Sequence, residues 1–357
     1  MRRLLPLLIV AVLAPPALAL PGLPALPGCT LPALPPNASA LEGNGYVRVA
    51  PGGTASWVVN GARWASWHGT HVAYWMDPVD VTAPTLLCVD GLPVATGSRA
   101  QHEDLGRVAW SPDGTRLAYV DGGVLEVRTG SAVATLGTGA EAFAWSPASD
   151  ALLVRESGRS TVRRLDGTTV DLGPTSENAV WGGGRVFSRG DWTLVGDEYV
   201  PEVVSVLPDG TDRQVHGTGE FVVSADGTRI ALLGADGFQV VGLDGTDHGS
   251  ATVANLWGLE FSPDATQVAF MSGTTVNAWD GTTVTARPTP RPAYYVHWVG
   301  NELWWNEQGT GGAMALVHEG TVVATGAFPY DLDLVRIEAG GGYLVEVERM
   351  PGLPTTG

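Results

Sequence analysis

One short pattern recurs along this chain and limits its fold more than any other feature. An apolar run ends in an aromatic, a Ser-Pro-Asp-Gly-type turn follows, and a second run of β-branched and small apolar residues begins. The clearest copies are Trp110-Ser111-Pro112-Asp113-Gly114-Thr115-Arg116-Leu117-Ala118-Tyr119 and Phe261-Ser262-Pro263-Asp264-Ala265-Thr266-Gln267-Val268-Ala269-Phe270. Trp145-Ser146-Pro147 before Leu152 and Val223-Ser224-Ala225-Asp226-Gly227 before Ile230 are close copies, and looser ones lead to Val72, Val186, Leu303 and Leu344. Proline presets φ, aspartate bonds its own downstream backbone and glycine supplies positive φ, so each turn reverses the chain between antiparallel strands. The second-run residues Val72, Leu117, Leu152, Val186, Ile230, Val268, Leu303 and Leu344 recur every 34 to 45 residues, the spacing of propeller blades.

Two more strands follow each turn; in the cleanest unit they are Val124-Leu125-Glu126-Val127 and Ala132-Val133-Ala134-Thr135-Leu136. Glycine (48) and proline (25) make up about a fifth of the 357 residues without a collagen-like period, and no segment has a convincing 3.6-residue period. Helix content should be near zero. The last unit, Leu334 to Glu348, supplies two strands, and Tyr46-Val47-Arg48-Val49 with Ala55-Ser56-Trp57-Val58-Val59 align with the missing two. The fold class expected is all-β: a single eight-bladed β-propeller of four-stranded antiparallel blades, closed by pairing of N- and C-terminal strands, with seven blades as the alternative.

The turns at 110–119 and 261–270 resemble the WD-like repeats of the TolB β-propeller family, and the resemblance covers about 45–349. It implies an exported, non-catalytic binding scaffold. TolB proper partners a peptidoglycan-associated lipoprotein and carries an α/β domain ahead of six blades; this chain departs from it in lacking that domain and having more blades. Similar blades precede the hydrolase domain of prolyl oligopeptidase relatives, but no Gly-x-Ser-x-Gly elbow occurs here.

Met1-Arg2-Arg3 ahead of the apolar run Leu4 to Leu13 reads as an export signal, with Ala17-Leu18-Ala19 as the cleavage site. The expected organisation is signal 1–19, Pro/Ala/Leu-rich linker 20–44, propeller 45–350 and tail 351–357. Leu26-Pro27-Gly28-Cys29 competes as a lipoprotein box, which would extend the signal to 28 and place a lipid, and the only membrane attachment, on Cys29. Cys88, in the run Leu86-Leu87-Cys88-Val89, reads by default as a buried free thiol, with a Cys29 to Cys88 disulfide as the oxidised alternative. Localisation is therefore periplasm, cell envelope or outside the cell.

All twenty basic residues are arginine, and against 37 acids they leave a formal net charge of -17, which excludes phosphate backbones and nucleic acid as partners. In a propeller the second-to-third and inter-blade connections share one face, so the long excursions Met76 to Thr85, Gly190 to Pro201, Ser98 to Leu105 and Ala286 to Ala293 mark a ligand face. First-strand openings Arg107, Glu141, Glu177, Glu220, Tyr294 and Asp333 would ring an acidic channel mouth there, with Trp192, Tyr199, Tyr294 and Tyr295 as aromatic contacts. One residue before the aromatic in three successive units stand Glu260, His297 and Arg336, which suit either acid-base chemistry or an inter-blade ion network. His68-Gly69-Thr70-His71 imitates a metal pair but occupies a turn. No cofactor fingerprint appears.

The leading expectation is a monomeric, non-catalytic scaffold that binds a protein, peptide or envelope glycan through the long-loop face. The alternatives are a propeller hydrolase or lyase using Glu260, His297 and Arg336 in the channel, and a purely architectural bridge.

Overall fold

The structure, a computed structural model, describes Cys29 and residues 45–49, 55–60, 62–76, 85–97, 108–174, 179–196, 198–289, 291–308, 314–325, 330–338 and 342–349. Every helix or strand among them is a strand, so no described helix could cross a membrane. The segments read above as export signal (1–19), linker (20–44, apart from Cys29) and tail (351–357) lie outside the described residues.

Seven four-stranded antiparallel sheets are each built from four consecutive strands: sheets 1 to 7 span 62–97, 108–138, 142–174, 180–218, 220–252, 256–286 and 293–325. A further four-stranded sheet, the terminal sheet, takes Tyr330–Glu338 and Gly342–Arg349 as its first two strands and Gly45–Val49 and Ala55–Asn60 as its last two. Gly45–Val49 pairs with Gly342–Arg349 from Gly45 opposite Val347 to Val49 opposite Tyr343. Strands from the two ends of the sequence thus share one sheet, while consecutive strands alone account for seven.

All eight marker residues fall within the first three positions of their sheet's second strand, and none is more than 7% exposed. That strand is apolar on both faces because it lies between two neighbouring sheets. Leu117 and Tyr119 pack toward Ala73 and Trp75 of sheet 1, whereas Ala118 and Val120 pack toward Phe143 and Leu152 of sheet 3. The same alternation joins sheets 3 and 4 through Leu153 and Val186, 4 and 5 through Phe187 and Ile230, 5 and 6 through Phe238 and Phe270, and 6 and 7 through Met271 and Trp305. Each such buried Leu or Phe contributes about 1.5–3 kcal/mol of transfer free energy. Sheet-on-sheet packing of this kind, with first strands innermost, is a β-propeller.

The turn motif now has an atomic explanation. Ser111 Oγ donates to Asp113 Oδ1 (2.6 Å) and accepts from Arg116 N (3.0 Å), while Thr115 N donates to Asp113 Oδ1 (3.0 Å). Ser224 with Asp226 and Ser262 with Asp264 repeat this set. The fourth motif residue is left-handed, with φ of 68° at Gly114, 62° at Ser149 and 57° at Ala265. In the next sheet's turn that residue's carbonyl accepts from an arginine: Arg116 Nη1 to Ser149 O at 3.1 Å and Arg229 Nη1 to Ala265 O at 2.6 Å. The motif therefore holds neighbouring sheets together as well as reversing the chain.

The cysteine expectations are corrected. Cys29 and Cys88 form a disulfide, with Cα atoms 6.3 Å apart, so neither is a free thiol and the Cys29 sulfur that a lipid would need is already bonded. Cys29 is 3% exposed and packs with Val72, Tyr74 and Leu86 of sheet 1 and Leu344 of the terminal sheet. Tyr74 donates its hydroxyl to Cys29 O (3.4 Å), and burial, helped by Asp90, pushes that hydroxyl up to about 12, keeping it a donor.

Candidate functional site

Each first strand starts on the face that carries the second-to-third and inter-sheet connections and ends at the Ser-Pro-Asp-Gly turns on the other. On the first face the excursion at 190–201 is a correction to the sequence reading, for it is an extended β-hairpin. Arg185–Val195 and Glu198–Val206 stay paired far beyond the sheet body, through Trp192 opposite Pro201 and Leu194 opposite Tyr199. A break in register between Arg189 and Trp192 re-aims the ribbon where it leaves sheet 4. Gly190 is required at that break because a Cβ there would press on Val204 and on the Arg213 guanidinium. Trp192, Leu194, Val195 and Tyr199 are between 52% and 69% exposed.

Directly opposed residues share a face of an antiparallel ribbon, so Trp192, Leu194, Tyr199 and Pro201 form one apolar face. Trp192 and Pro201 also wall a cleft of about 480 Å³ whose far side is Leu172 and Pro174 of sheet 3 and whose polar groups include Asp191 and Arg213. Arg213 bonds Glu202 at 3.2 Å and stands 3.9 Å from Asp191.

The ring of first-strand openings is described in part. Arg107 and Glu177 lie outside the described residues, as do the side chains of Asp333 and Arg336, although both belong to the strand Tyr330–Glu338. Glu141 and Glu220 are at the expected end but each has an arginine partner. Glu141 Oε2 is 3.3 Å from Arg155 Nε and its Oε1 accepts from Ser157 N (3.0 Å); Glu220 is paired with Arg189 of sheet 4. Both arginines lie in second strands, Arg155 one residue from its end and Arg189 at the base of the hairpin, and their reach to a strand opening left no sequence signal. Tyr294 donates to Gln308 Oε1 at 3.0 Å, and Tyr295 meets Trp257 of sheet 6 edge to face at 6.4 Å. Trp257, 36% exposed, escaped the sequence reading, although its place at a first-strand start resembles that of Tyr294 and Tyr295.

Of the three candidate channel residues, two are brought together: His297 Nδ1 lies 3.4 Å from Glu260 Oε2, both about two-fifths exposed. Their neighbouring aromatics are inter-sheet fasteners, since Trp298 Nε1 donates to Glu260 O (3.3 Å) as Trp145 does to Ala109 O (2.9 Å) and Trp181 to Ala144 O (3.1 Å). A cavity of about 630 Å³ is lined by the first strands of sheets 3, 4 and 5, with Phe143, Trp145, Trp181 and Phe221 around it. His68 lies against Gly114 of the next turn, and His71 bonds Asp90 at 2.7 Å. No three potential metal ligands cluster among the described residues.

No known family matches the chain, and no curated protein matches it in sequence. Solved structures do match in shape. Dipeptidyl peptidase 4 from Porphyromonas gingivalis is 14% identical with a TM-score of 0.50, over 75% of this chain and 54% of that one. A eukaryotic initiation factor is 10% identical with a TM-score of 0.50, over 80% and 84%. The β-propeller domain of the Trilobed protease from Pyrococcus furiosus is 13% identical with a TM-score of 0.47, over 74% and 97%. At these identities the likeness is one of fold alone.

Proposed function

We propose that this chain is an exported, non-catalytic propeller that binds a protein, peptide or envelope glycan through its long-loop face. In this reading the terminal sheet serves as an eighth blade that closes the ring, and TolB-like kinship rests on the turn motif. The observation that carries the function is the distribution of exposed aromatics: Trp192, Tyr199, Trp257, Tyr294 and Tyr295 all lie on that one face, and among the residues whose side chains are described no other Trp, Tyr or Phe is exposed. Exposed aromatics on a rigid scaffold are the usual anchors of recognition. The disulfide agrees with export to an oxidising compartment.

The test is a binding assay of the protein against its host's envelope proteins and glycans. Tyr294→Ser/Tyr295→Ser should weaken the selected interaction at least tenfold, and substitutions on the turn face should leave it unchanged; the reverse ranking would end the proposal. A second reading, a channel hydrolase or lyase, draws on the Glu260 to His297 pair. A measurable turnover that His297→Ala abolishes without loss of folding would favour it.

A further inference from the structure

We infer that the hairpin from Arg189 to Glu202 is a docking arm for a basic polypeptide surface, an inference that rests on the long-loop reading and names the partner for one part of that face. Two independent properties of the hairpin lead there.

The first is what it exposes. A β-ribbon that leaves its sheet has no second layer to cover it, and such ribbons in a soluble chain are ordinarily polar. This one exposes Trp192, Leu194 and Tyr199 on one face, at 61%, 56% and 69%, with Pro201 buried at the base of that face. The register break at its base and the cleft against Leu172 and Pro174 leave room beside that face for an incoming side chain. Rigid aromatics lose little entropy on binding and are the residues that dominate contact energy in interfaces.

The second is charge. Asp191, Asp197, Glu198 and Glu202 stand in this segment against the single Arg189, and Arg189 is itself paired with Glu220. Arg213 partly offsets Glu202 and Asp191, and the Asp191 carboxylate, 95% exposed, is only weakly held at 3.9 Å. The whole protein carries a formal charge of -17, so its field accelerates the approach of cations and repels acids and anionic bilayers. Indole and phenol faces beside carboxylates receive guanidinium and ammonium groups well, through cation–π attraction completed by ion pairing. A surface presenting Arg or Lys next to aliphatic or aromatic groups satisfies both properties at once.

The test uses the full protein and a fluorescein-labelled peptide of Arg, Lys, Leu and Tyr, with a counterpart carrying Glu at every basic position, read by anisotropy. The basic peptide should bind at least tenfold more tightly than the acidic one and weaken at least tenfold between roughly 50 and 500 mM salt. Because an acidic protein attracts any cation loosely, the deciding readout is the hairpin itself. Trp192→Ala/Tyr199→Ala should cost at least tenfold in affinity, and Asp191→Asn should flatten the salt dependence. Both variants should keep their thermal midpoints, since these side chains are exposed.

Binding that Trp192→Ala/Tyr199→Ala leaves intact overturns the inference; if the same binding is lost in Tyr294→Ser/Tyr295→Ser, the long-loop face stands and only the arm is wrong. Loss confined to turn-face substitutions overturns both. Preferential binding of a neutral oligosaccharide or an anionic lipid vesicle through the hairpin also overturns the inference.

Discussion

At the scale of single residues, the Ser and Asp of each turn act as a unit. Ser224 is fully buried and its hydroxyl accepts from Arg229 N while donating to Asp226. Ser224→Ala removes the acceptor and leaves a buried amide unpaired, so it should lower the unfolding free energy by about 1–3 kcal/mol in urea titration. The aspartates give a pH signature. Hydrogen bonds from the Ser111 hydroxyl and then Thr115 N hold Asp113 down to about 2, and the Ser262 hydroxyl and then Thr266 N lower Asp264. Folded values below the ordinary carboxylate range mean a stabilisation fully present above about pH 4 and lost as pH falls through the folded value. Stability should therefore hold from neutral pH to about 5 and fall between about 4 and 2; a profile flat to 2.5 would contradict the hydrogen-bonded turns. This chemistry was legible because its partners lie within six residues. The pairing of Glu141 and Glu220 with Arg155 and Arg189 was not legible, because those arginines come from other strands and sequence spacing carries no record of that approach.

At the scale of elements, strand positions were legible and connections were not. Second strands announce themselves as apolar on both faces, and every marker landed in one. The segment Gly190 to Pro201 mixes glycine, proline and acids, which reads as a loop, yet the alternation of Trp192, Leu194, Tyr199 and Pro201 on one face is strand periodicity. Exposure on both sides of the ribbon removed the contrast between faces that usually reveals a strand. Turns also bear on neighbouring sheets. Gly227, at φ 71°, lies where a Cβ would overlap the Gly182 carbonyl and Gly183 N of sheet 4. Gly227→Ala should cost roughly 1–3 kcal/mol for the backbone conformation alone and more for the overlap, a larger loss than Gly130→Ala, where nothing lies nearby. Equal thermal shifts for the two would show that the inter-sheet contact is unimportant.

At the scale of the whole molecule, the seam inside the terminal sheet, where Gly45–Val49 pairs with Gly342–Arg349, has no counterpart in the other seven sheets. Each of the others is built from consecutive strands, whereas here strands from the two ends of the chain must find each other, and Cys29 sits buried with Leu344 of this sheet and Val72 of sheet 1, its sulfur bonded to Cys88. The pairing of the end strands was legible from the missing half of the last repeat, but the choice of disulfide over thiol was not, because no spacing rule links a linker residue to a third strand. A cross-link over 59 residues removes about 4 kcal/mol of unfolded-state entropy on the chain-entropy account. Cys29→Ala/Cys88→Ala should therefore lower stability by roughly 2–4 kcal/mol. If the eight sheets form a closed ring, hydrogen exchange should rise first in Gly45–Val49 and Gly342–Arg349, which pair at the seam, and in His71–Met76, which packs beside it through the Cys29 cluster, while sheets 3 to 5 keep their protection. Uniform acceleration across all sheets would mean that opening is global and that the disulfide fastens no local closure, and unchanged exchange at the seam would remove the support for a ring latched at that point.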